Sequence, residues 1–230
     1  VTWQKWTPTS DENNRFRILP KWIDLSVSPK TTAKKLPVPS FYLGLSRLYP
    51  LGEDKHEIIE ERKFKKKLTD PDEKWLISNY KHILSIDDSI DSISNYEIFS
   101  KRSGGINTDH YDFLSNSSGQ DNLMQILYLL LSFIKLRTEY DEKDLEWPGG
   151  LLLIDEIDAT LHPAAQVRLT NLIYNTCKRF AFQAIFTTHS LQILEYLSYM
   201  QAKNSDIAIE YFTTANKILE IHHNPSFEAM

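Results

Sequence analysis

The sequence predicts an α/β fold with a mainly parallel sheet. Four apolar residues without a polar break, Leu151–Ile154, form a run typical of a strand that is buried on both faces. A second apolar run, Ala181–Phe186, follows a segment at 163–178 whose apolar residues recur at helical spacing. A short helix is expected after residue 189. This alternation of strands and helices favours a parallel sheet with right-handed crossovers.

The first hundred residues predict a different organisation. Residues 1–27 contain two β-leaning pieces, and a loop rich in Lys, Thr and Pro at 28–39 leads to a predicted strand at 38–45. Residues 46–102 combine high charge with scattered apolar positions, which favours a small, mainly helical lobe. Ser103-Gly104-Gly105 marks its expected exit.

Three domains follow from this division. They are the N-terminal strands of the core (1–45), the mainly helical lobe (46–110) and the remainder of the core (111–230). Within the last of these, residues 206–222 predict two further strands that form a hairpin at the sheet edge.

A long amphipathic helix is predicted from Asp121 to Tyr140, because apolar residues recur there over a wide face. The polar segment Ser117-Ser118-Gly119-Gln120 comes directly before it. A helix N-terminus gathers free backbone N–H groups and the positive end of the helix dipole, so this segment suits a phosphate group. Simple N-capping by a Ser-rich turn is the alternative.

Two adjacent carboxylates, Asp155 and Glu156, follow the Leu151–Ile154 run. The carboxyl end of a strand in an α/β sheet opens into the crevice where ligands bind. Carboxylates in that place suit Mg²⁺ and an activated water. The alternative is a buried strand followed by an acid that caps a helix.

His189 occupies the corresponding place after the second apolar run, within Thr187-Thr188-His189-Ser190. That position favours a donor that contacts a transferred phosphate and holds the attacking water in line. A structural histidine with its hydrogen bonds satisfied is the alternative.

Together these segments resemble the ABC-type ATPases, which are P-loop NTPases. The resemblance is to the soluble branch related to SMC-like proteins and to the ATPases of bacterial anti-phage systems, and it is best over residues 110–200. It implies that Asp155 supports Mg²⁺, that Glu156 polarises the attacking water and that His189 is the switch histidine. It also implies that Ser117–Gln120 is the signature, which contacts the γ-phosphate of ATP held by the opposite subunit, with Ser118 in place of the usual first Gly.

The resemblance extends to the loop after the carboxylates, the D-loop, formed by Asp158, Ala159, Thr160, Leu161 and His162. Transporter-type members place an Asp where this chain has His162, so the sequence looks like the non-transporter branch. Because Pro163 suits a first helical turn, His162 is equally well explained as a residue at a helix N-terminus.

The chain departs from the family in lacking the phosphate loop. No G-x-x-x-x-G-K-[ST] motif occurs anywhere in the sequence. The ABC-ATPase-like core is therefore incomplete without an upstream segment, and we expect a longer chain to supply it. The rival interpretation is a degenerate subunit that lends its signature to a partner's ATP.

Composition and charge argue against several other classes of protein. The net charge is −5, which argues against a general affinity for nucleic acid. The basic run Arg62–Lys67 is expected to be a solvated helix face, with a DNA or RNA contact as the alternative. The longest apolar segment, Leu123–Leu136, is too short for a bilayer. The single cysteine, Cys177, excludes an internal disulfide and is expected in a helix core. We expect a cytoplasmic protein with no membrane contact.

The function implied by the resemblance is ATP binding and hydrolysis across a dimer, with ATP and Mg²⁺ as cofactors. Hydrolysis would act as a conformational switch, in anti-phage defence of the Septu or retron-associated kind, on a partner nuclease. The alternatives are an SMC-like DNA-repair ATPase and a nucleotide-binding scaffold without turnover of its own.

Overall fold

A computed structural model gives the structure of the chain in the following ranges: 2–6, 17–21, 38–48, 68–87, 89–98, 101–108, 117–214 and 217–230. The chain divides into two compact units, Val1–Pro39 and Ser40–Met230. The division precedes the strand at 40–43, which the sequence groups with the N-terminal strands. In the first unit, β1 (Thr2–Trp6) pairs antiparallel with β2 (Arg17–Lys21), at the places where the sequence leans towards β structure.

The second unit combines helices and strands. Its elements are β3 (Ser40–Leu43), a short 3₁₀ helix (Leu45–Leu48), α1 (Asp70–Leu84), β4 (Ile90–Ile98), β5 (Lys101–Thr108), α2 (Ser118–Glu142), β6 (Leu151–Ile154), α3 (Pro163–Phe180), β7 (Gln183–Phe186), α4 (Leu191–Gln201), β8 (Glu210–Thr213) and β9 (Glu220–His223).

Strands β3, β6 and β7 form a three-stranded parallel sheet with β6 in the centre. In the register, Leu43, Ile154 and Phe186 stand side by side, so the three strands end at one edge. This confirms the predicted α/β fold class with a parallel sheet. Only one face of β3 is covered, because its residues alternate between exposed and half-buried.

Helix α2 packs against the sheet through aromatic rings. Phe133 stacks on Phe182 with 4.2 Å between ring centroids and meets the ring of Phe41 edge-on at 5.0 Å. A β-carbon on Gly150 would lie 2.4 Å from the Phe133 ring, so this glycine lets the ring reach the base of β6. Residues 121–127 of α2 are buried on every face, which fixes this part of the helix in the core.

Helix α3 begins at Pro163 as predicted and extends two residues beyond Lys178, to Phe180. It ends where Ala181 adopts a left-handed conformation, with a φ of 52°. Cys177 lies half-buried in this helix, and burial raises the pKa of its thiol to about 12. The predicted position of Cys177 within a helix is confirmed by the bounds of α3.

The predicted lobe at 46–110 contains more β structure than expected in its described part. Helix α1 is followed by an antiparallel hairpin of β4 and β5. The expected exit at Ser103-Gly104-Gly105 is wrong, because these residues pair within β5, with Gly104 opposite Asn95. Two adjacent glycines resemble a loop signal, but cross-strand pairing determines their conformation. The basic run Arg62–Lys67 lies outside the described residues.

The C-terminal strands β8 and β9 form the predicted hairpin, but among the described strands they pair only with each other. The expected position at the sheet edge is therefore wrong. Local pairing across a short connection explains the result. The Asn224 side chain fastens the hairpin to α4, because its Oδ1 accepts from the Gln201 side chain at 2.6 Å and from the Ile209 backbone at 2.8 Å.

No described helix has the length and apolar character needed to cross a membrane.

Candidate functional site

The site is built from three loops that leave the same edge of the parallel sheet. The aligned strand ends bring the loops after β3, β6 and β7 side by side. They carry Arg47, the Asp155–His162 segment and the Thr187–Ser190 segment respectively. The sequence-predicted carboxylates and His189 thus come from neighbouring strands, at the sheet edge where α/β proteins bind ligands.

The Thr187 hydroxyl connects both predicted carboxylate residues. It donates to Oδ1 of Asp155 at 2.7 Å and accepts from the backbone N–H of Glu156 at 2.7 Å. The backbone N–H of Asp155 donates to the Leu43 carbonyl at 2.9 Å, which ties the same residue to β3. Asp155 is therefore held from both flanking strands.

Glu156 adopts a left-handed conformation, with a φ of 48°. Such a backbone costs a non-glycine residue about 1–2 kcal/mol and persists only where its surroundings hold it. Its N–H is held by Thr187, and its carbonyl accepts from the Arg47 guanidinium at 2.8 Å. Its side chain is half-exposed and so accessible to a ligand.

The donor set fits Mg²⁺ better than a metal held by protein alone. Among the residues that the structure describes, no three His, Cys, Asp or Glu side chains are grouped to hold a metal. Mg²⁺ is commonly bound by one or two carboxylates, with water and substrate phosphates completing the shell. The fixed, half-exposed Asp155 suits that mode.

Asp158 joins the loop after β6 to the loop after β7. Its Oδ1 accepts from the Thr188 hydroxyl at 2.6 Å and from the His189 backbone N–H at 3.3 Å. His189 itself is exposed. The sequence places Asp158 in the D-loop without predicting this contact, which fixes the backbone that carries the predicted switch histidine.

Gln166 fastens the same loop to α3. Its side-chain amide donates to the carbonyls of Asp158 and Leu161 at 3.1 and 2.9 Å, and its Oε1 accepts from the Ser190 hydroxyl at 2.6 Å. Ser190 in turn caps α4. One buried glutamine thus connects both loops, a role that an amphipathic pattern does not reveal.

His162 is the N-cap of α3, with Pro163 in the first turn. Its Nδ1 accepts from the Ala164 backbone N–H at 3.3 Å. Of the two explanations for His162, the structure supports the residue at a helix N-terminus. A D-loop role for its side chain stays a prediction.

The signature residues form the first turn of α2. Ser117 and Gln120 form a capping box, in which the Gln120 N–H donates to the Ser117 hydroxyl at 3.3 Å and the Ser117 N–H donates to the Gln120 side chain at 2.7 Å. Ser118 is half-exposed and Gly119 is buried. N-capping describes the observed geometry, and the phosphate contact stays a prediction. The positive end of the α2 dipole lies at this turn.

Buried polar contacts join the signature turn to the D-loop. The Asn122 side chain is fully buried, and its amide donates to the Ala159 carbonyl at 2.9 Å. The Gly119 backbone lies directly beside Thr160, whose φ is 64°. The predicted signature and the predicted D-loop are therefore packed together within this subunit.

Sequence reasoning missed Arg47. This side chain is only 2% exposed and lies between β3, α2 and Glu156. Burial lowers the pKa of its guanidinium, while the nearby charges of Asp155 and Glu156 act in the opposite direction. The group nevertheless remains charged, because arginine is not deprotonated in proteins. The sequence offers one signal for this residue, namely that a positively charged side chain follows a predicted core strand closely.

Comparison with known protein families gives a match to a family model. A family model described as "AAA domain, putative AbiEii toxin, Type IV TA system" matches residues 8–195. No curated protein and no solved structure matches the chain.

Proposed function

The chain belongs to this AAA-domain family of P-loop ATPases, and on that premise we propose that it binds and hydrolyses ATP at a site shared between two copies of itself. The observation that carries the proposal is the contact of Thr187 with both Asp155 and Glu156. It holds the Asp155 carboxylate and the Glu156 backbone at the sheet edge where α/β folds hold nucleotides.

Three residues at this sheet edge have roles in the proposed reaction. Asp155 would hold Mg²⁺, which neutralises phosphate charge when bound. Glu156 would orient the attacking water, and His189 would donate a hydrogen bond to the γ-phosphate. Phosphoryl transfer needs positioning and electrostatic stabilisation more than covalent chemistry, so the fixed backbone of these loops supports the assignment.

The second half of the site would come from the partner copy. Ser117–Gln120 begins a 25-residue helix, whose N-terminus suits an anion. In the proposed dimer this turn contacts the γ-phosphate of ATP bound to the other subunit. The proposal requires a phosphate loop, which this sequence lacks, and an upstream segment of the same polypeptide is the expected source.

Hydrolysis in this arrangement would open the dimer and so act as a switch. We propose that the switch controls a partner nuclease in anti-phage defence of the Septu or retron-associated kind. The family description names a toxin of a toxin–antitoxin system, which favours a conflict system over DNA repair. None of the described helices exceeds the 25 residues of α2, so the described residues contain no long coiled coil of the kind that an SMC-like repair ATPase needs.

The test compares Glu156→Gln with the wild-type protein, each with its phosphate loop present. ATP binding should persist, while turnover falls about 100-fold or more, because a positioned general base contributes about 10²–10⁴-fold. Glu146→Gln, in an exposed segment before β6, is the matched control and should leave turnover unchanged. Unchanged turnover in Glu156→Gln would exclude hydrolysis at this site. Binding without turnover in the wild type would favour the scaffold function.

The nuclease partner requires a separate experiment. The protein is purified from its own host with and without ATP, and nuclease activity is measured in the fractions that contain it. A copurifying nuclease whose activity changes with ATP supports the defence role. DNA-stimulated turnover without any associated nuclease would favour repair.

A further inference from the structure

Arg47 is the buried cation of the candidate site, and its side chain makes contacts that packing alone does not require. The guanidinium has five N–H groups in a fixed planar fork. One N–H donates to the Gly44 carbonyl at 3.0 Å, which closes the turn after β3. The others reach two further parts of the fold.

The first of these parts is the signature helix. Nε of Arg47 donates to Oδ1 of Asn122 at 2.7 Å, and Gln125, also in α2, donates from its side chain to the Arg47 carbonyl at 3.2 Å. Asn122 also contacts the D-loop, because its side-chain amide donates to the Ala159 carbonyl. Arg47 is thus fixed to α2 through both its side chain and its backbone.

The second part is the candidate catalytic glutamate. A terminal nitrogen of Arg47 donates to the Glu156 carbonyl at 2.8 Å. Since Thr187 holds the N–H of the same residue, the two contacts act on both sides of a left-handed backbone. The Glu156 carbonyl also accepts from the Ala159 N–H at 3.1 Å. Loss of the Thr187 or the Arg47 contact would weaken the hold on this backbone and let the carboxylate move from its observed position.

We propose that Arg47 is a positioning residue that couples the signature helix to Glu156 within one subunit. This rests on the proposed function, in which the signature contacts ATP held by the partner while Glu156 acts on the subunit's own ATP. Engagement of the signature at one site would therefore be transmitted through Asn122 and Arg47 to the glutamate of the other site. The consequence is positive cooperativity between the two ATP sites.

The geometry requires an arginine. A lysine has one compact ammonium group, which cannot reach Asn122 and the Glu156 carbonyl through separate nitrogens as the planar fork does. If Arg47 served only to place a positive charge beside Asp155 and Glu156, lysine would replace it. Arg47→Lys therefore separates coupling from charge.

Three variants test the proposal in the protein with its phosphate loop present. Arg47→Lys keeps the charge and Arg47→Met removes it. Asn122→Ala removes the side-chain bond between Arg47 and α2, together with the bond from Asn122 to Ala159, and leaves the Arg47–Glu156 bond in place. Arg168→Met is the matched control, because Arg168 also donates to a backbone carbonyl, that of Ile83 at 2.8 Å, but joins α3 to α1 away from the site.

We expect kcat to fall about 10- to 100-fold in all three test variants, because small misplacements of a reacting group have effects of that size. KM for ATP should change much less, and the Hill coefficient should fall from above one to about one. Arg168→Met should lose stability while keeping the wild-type kcat and Hill coefficient. Values within about twofold of wild type in Asn122→Ala and Arg47→Lys would overturn the proposal.

A measurement without ATP keeps the test independent of hydrolysis. Hydrogen exchange at the Glu156 and Ile157 amides should accelerate about tenfold in Asn122→Ala, since local opening becomes easier, and should stay unchanged in Arg168→Met. If Arg47→Met fails to fold, Arg47→Lys and Asn122→Ala together decide the outcome, because Arg47→Lys leaves the Asn122–Ala159 bond intact. A wild type without turnover would refute the proposed function, whereas unchanged exchange in Asn122→Ala would refute the coupling alone.

Discussion

Gly119 and Thr160 approach so closely that a β-carbon built on Gly119 would lie 2.4 Å from the Thr160 carbonyl oxygen. The contact joins the first turn of the signature helix to the D-loop, backbone against backbone. No side chain at position 119 can be accommodated unless one of these segments moves. Gly119 is therefore required by packing within the subunit, independently of its predicted role in a signature.

Gly119→Ala should destabilise the fold, because the added methyl group meets backbone that cannot turn aside. We expect a loss of about 1–3 kcal/mol in the free energy of unfolding, measured by urea denaturation. Gly44→Ala is the control, since its nearest neighbour is the ring of Tyr42, which is 67% exposed and free to move. That variant should stay within about 0.5 kcal/mol of wild type. Equal losses in the two variants would contradict the observed approach.

Thr187→Val should reduce ATP turnover, because it removes the hydroxyl that holds Asp155 and the Glu156 N–H. The replacement is nearly isosteric, so folding should be retained. We expect about a tenfold fall in kcat at saturating ATP and a higher Mg²⁺ requirement, as is typical for loss of groups that orient metal ligands. Thr187→Ser retains the hydroxyl and should keep most of the activity. If valine and serine behaved alike, the hydroxyl would have no part in the reaction.

Asp72 should contribute a pH-dependent part of the stability. Burial alone would raise the pKa of this carboxyl, but hydrogen bonds from Lys135 and Thr69 outweigh burial and lower it. Because its folded pKa is depressed, its contribution is present above the unfolded value of about 3.9 and is lost as the pH falls through the folded pKa. The ion pair joins α1 to α2, with Nζ of Lys135 at 2.5 Å from Oδ2 of Asp72.

Asp72→Asn should therefore lose about 1 kcal/mol at neutral pH, after allowance for the partial exposure of Lys135. The difference from wild type should shrink as the pH falls below about 4. Asp141→Asn, in the exposed pair with Arg137, is the control and should change stability by less than about 0.5 kcal/mol. A difference that persists unchanged at low pH would show that the carboxylate charge is not responsible.

Much of the fold was predictable from local pattern. Leu151–Ile154 is apolar without a break because β6 is the central strand of the sheet, and such strands are recognisable in sequence. Pro163 marked the start of α3, and the polar turn before residue 121 marked α2, which begins at Ser118. The alternation of strands and helices then placed Asp155, Glu156 and His189 after neighbouring parallel strands, β6 and β7.

The features that the sequence did not predict are contacts between segments that are far apart in the chain. Arg47 and Asn122 are separated by 75 positions in the chain, so no periodic pattern relates them. Asp158 and Gln166 likewise look like ordinary loop and helix residues until the fold brings them to Thr188 and Ser190. The β4–β5 hairpin was missed for a similar reason, because pairing between strands decides its conformation more than the propensity of either strand.

The central claim, a site shared between two subunits, is tested most directly by mixing two inactive variants. One carries Glu156→Gln and the other Ser118→Arg, which should block the signature. In a mixed dimer both changes fall on the same site and the other site is intact. Random mixing in equal amounts should therefore raise turnover above that of either variant alone. About a quarter of the wild-type rate is the upper limit, because about half of the dimers are mixed and each has one working site, whose glutamate belongs to the subunit with the blocked signature. Turnover that stays at the level of the separate variants, although mixed dimers form, would contradict the shared site.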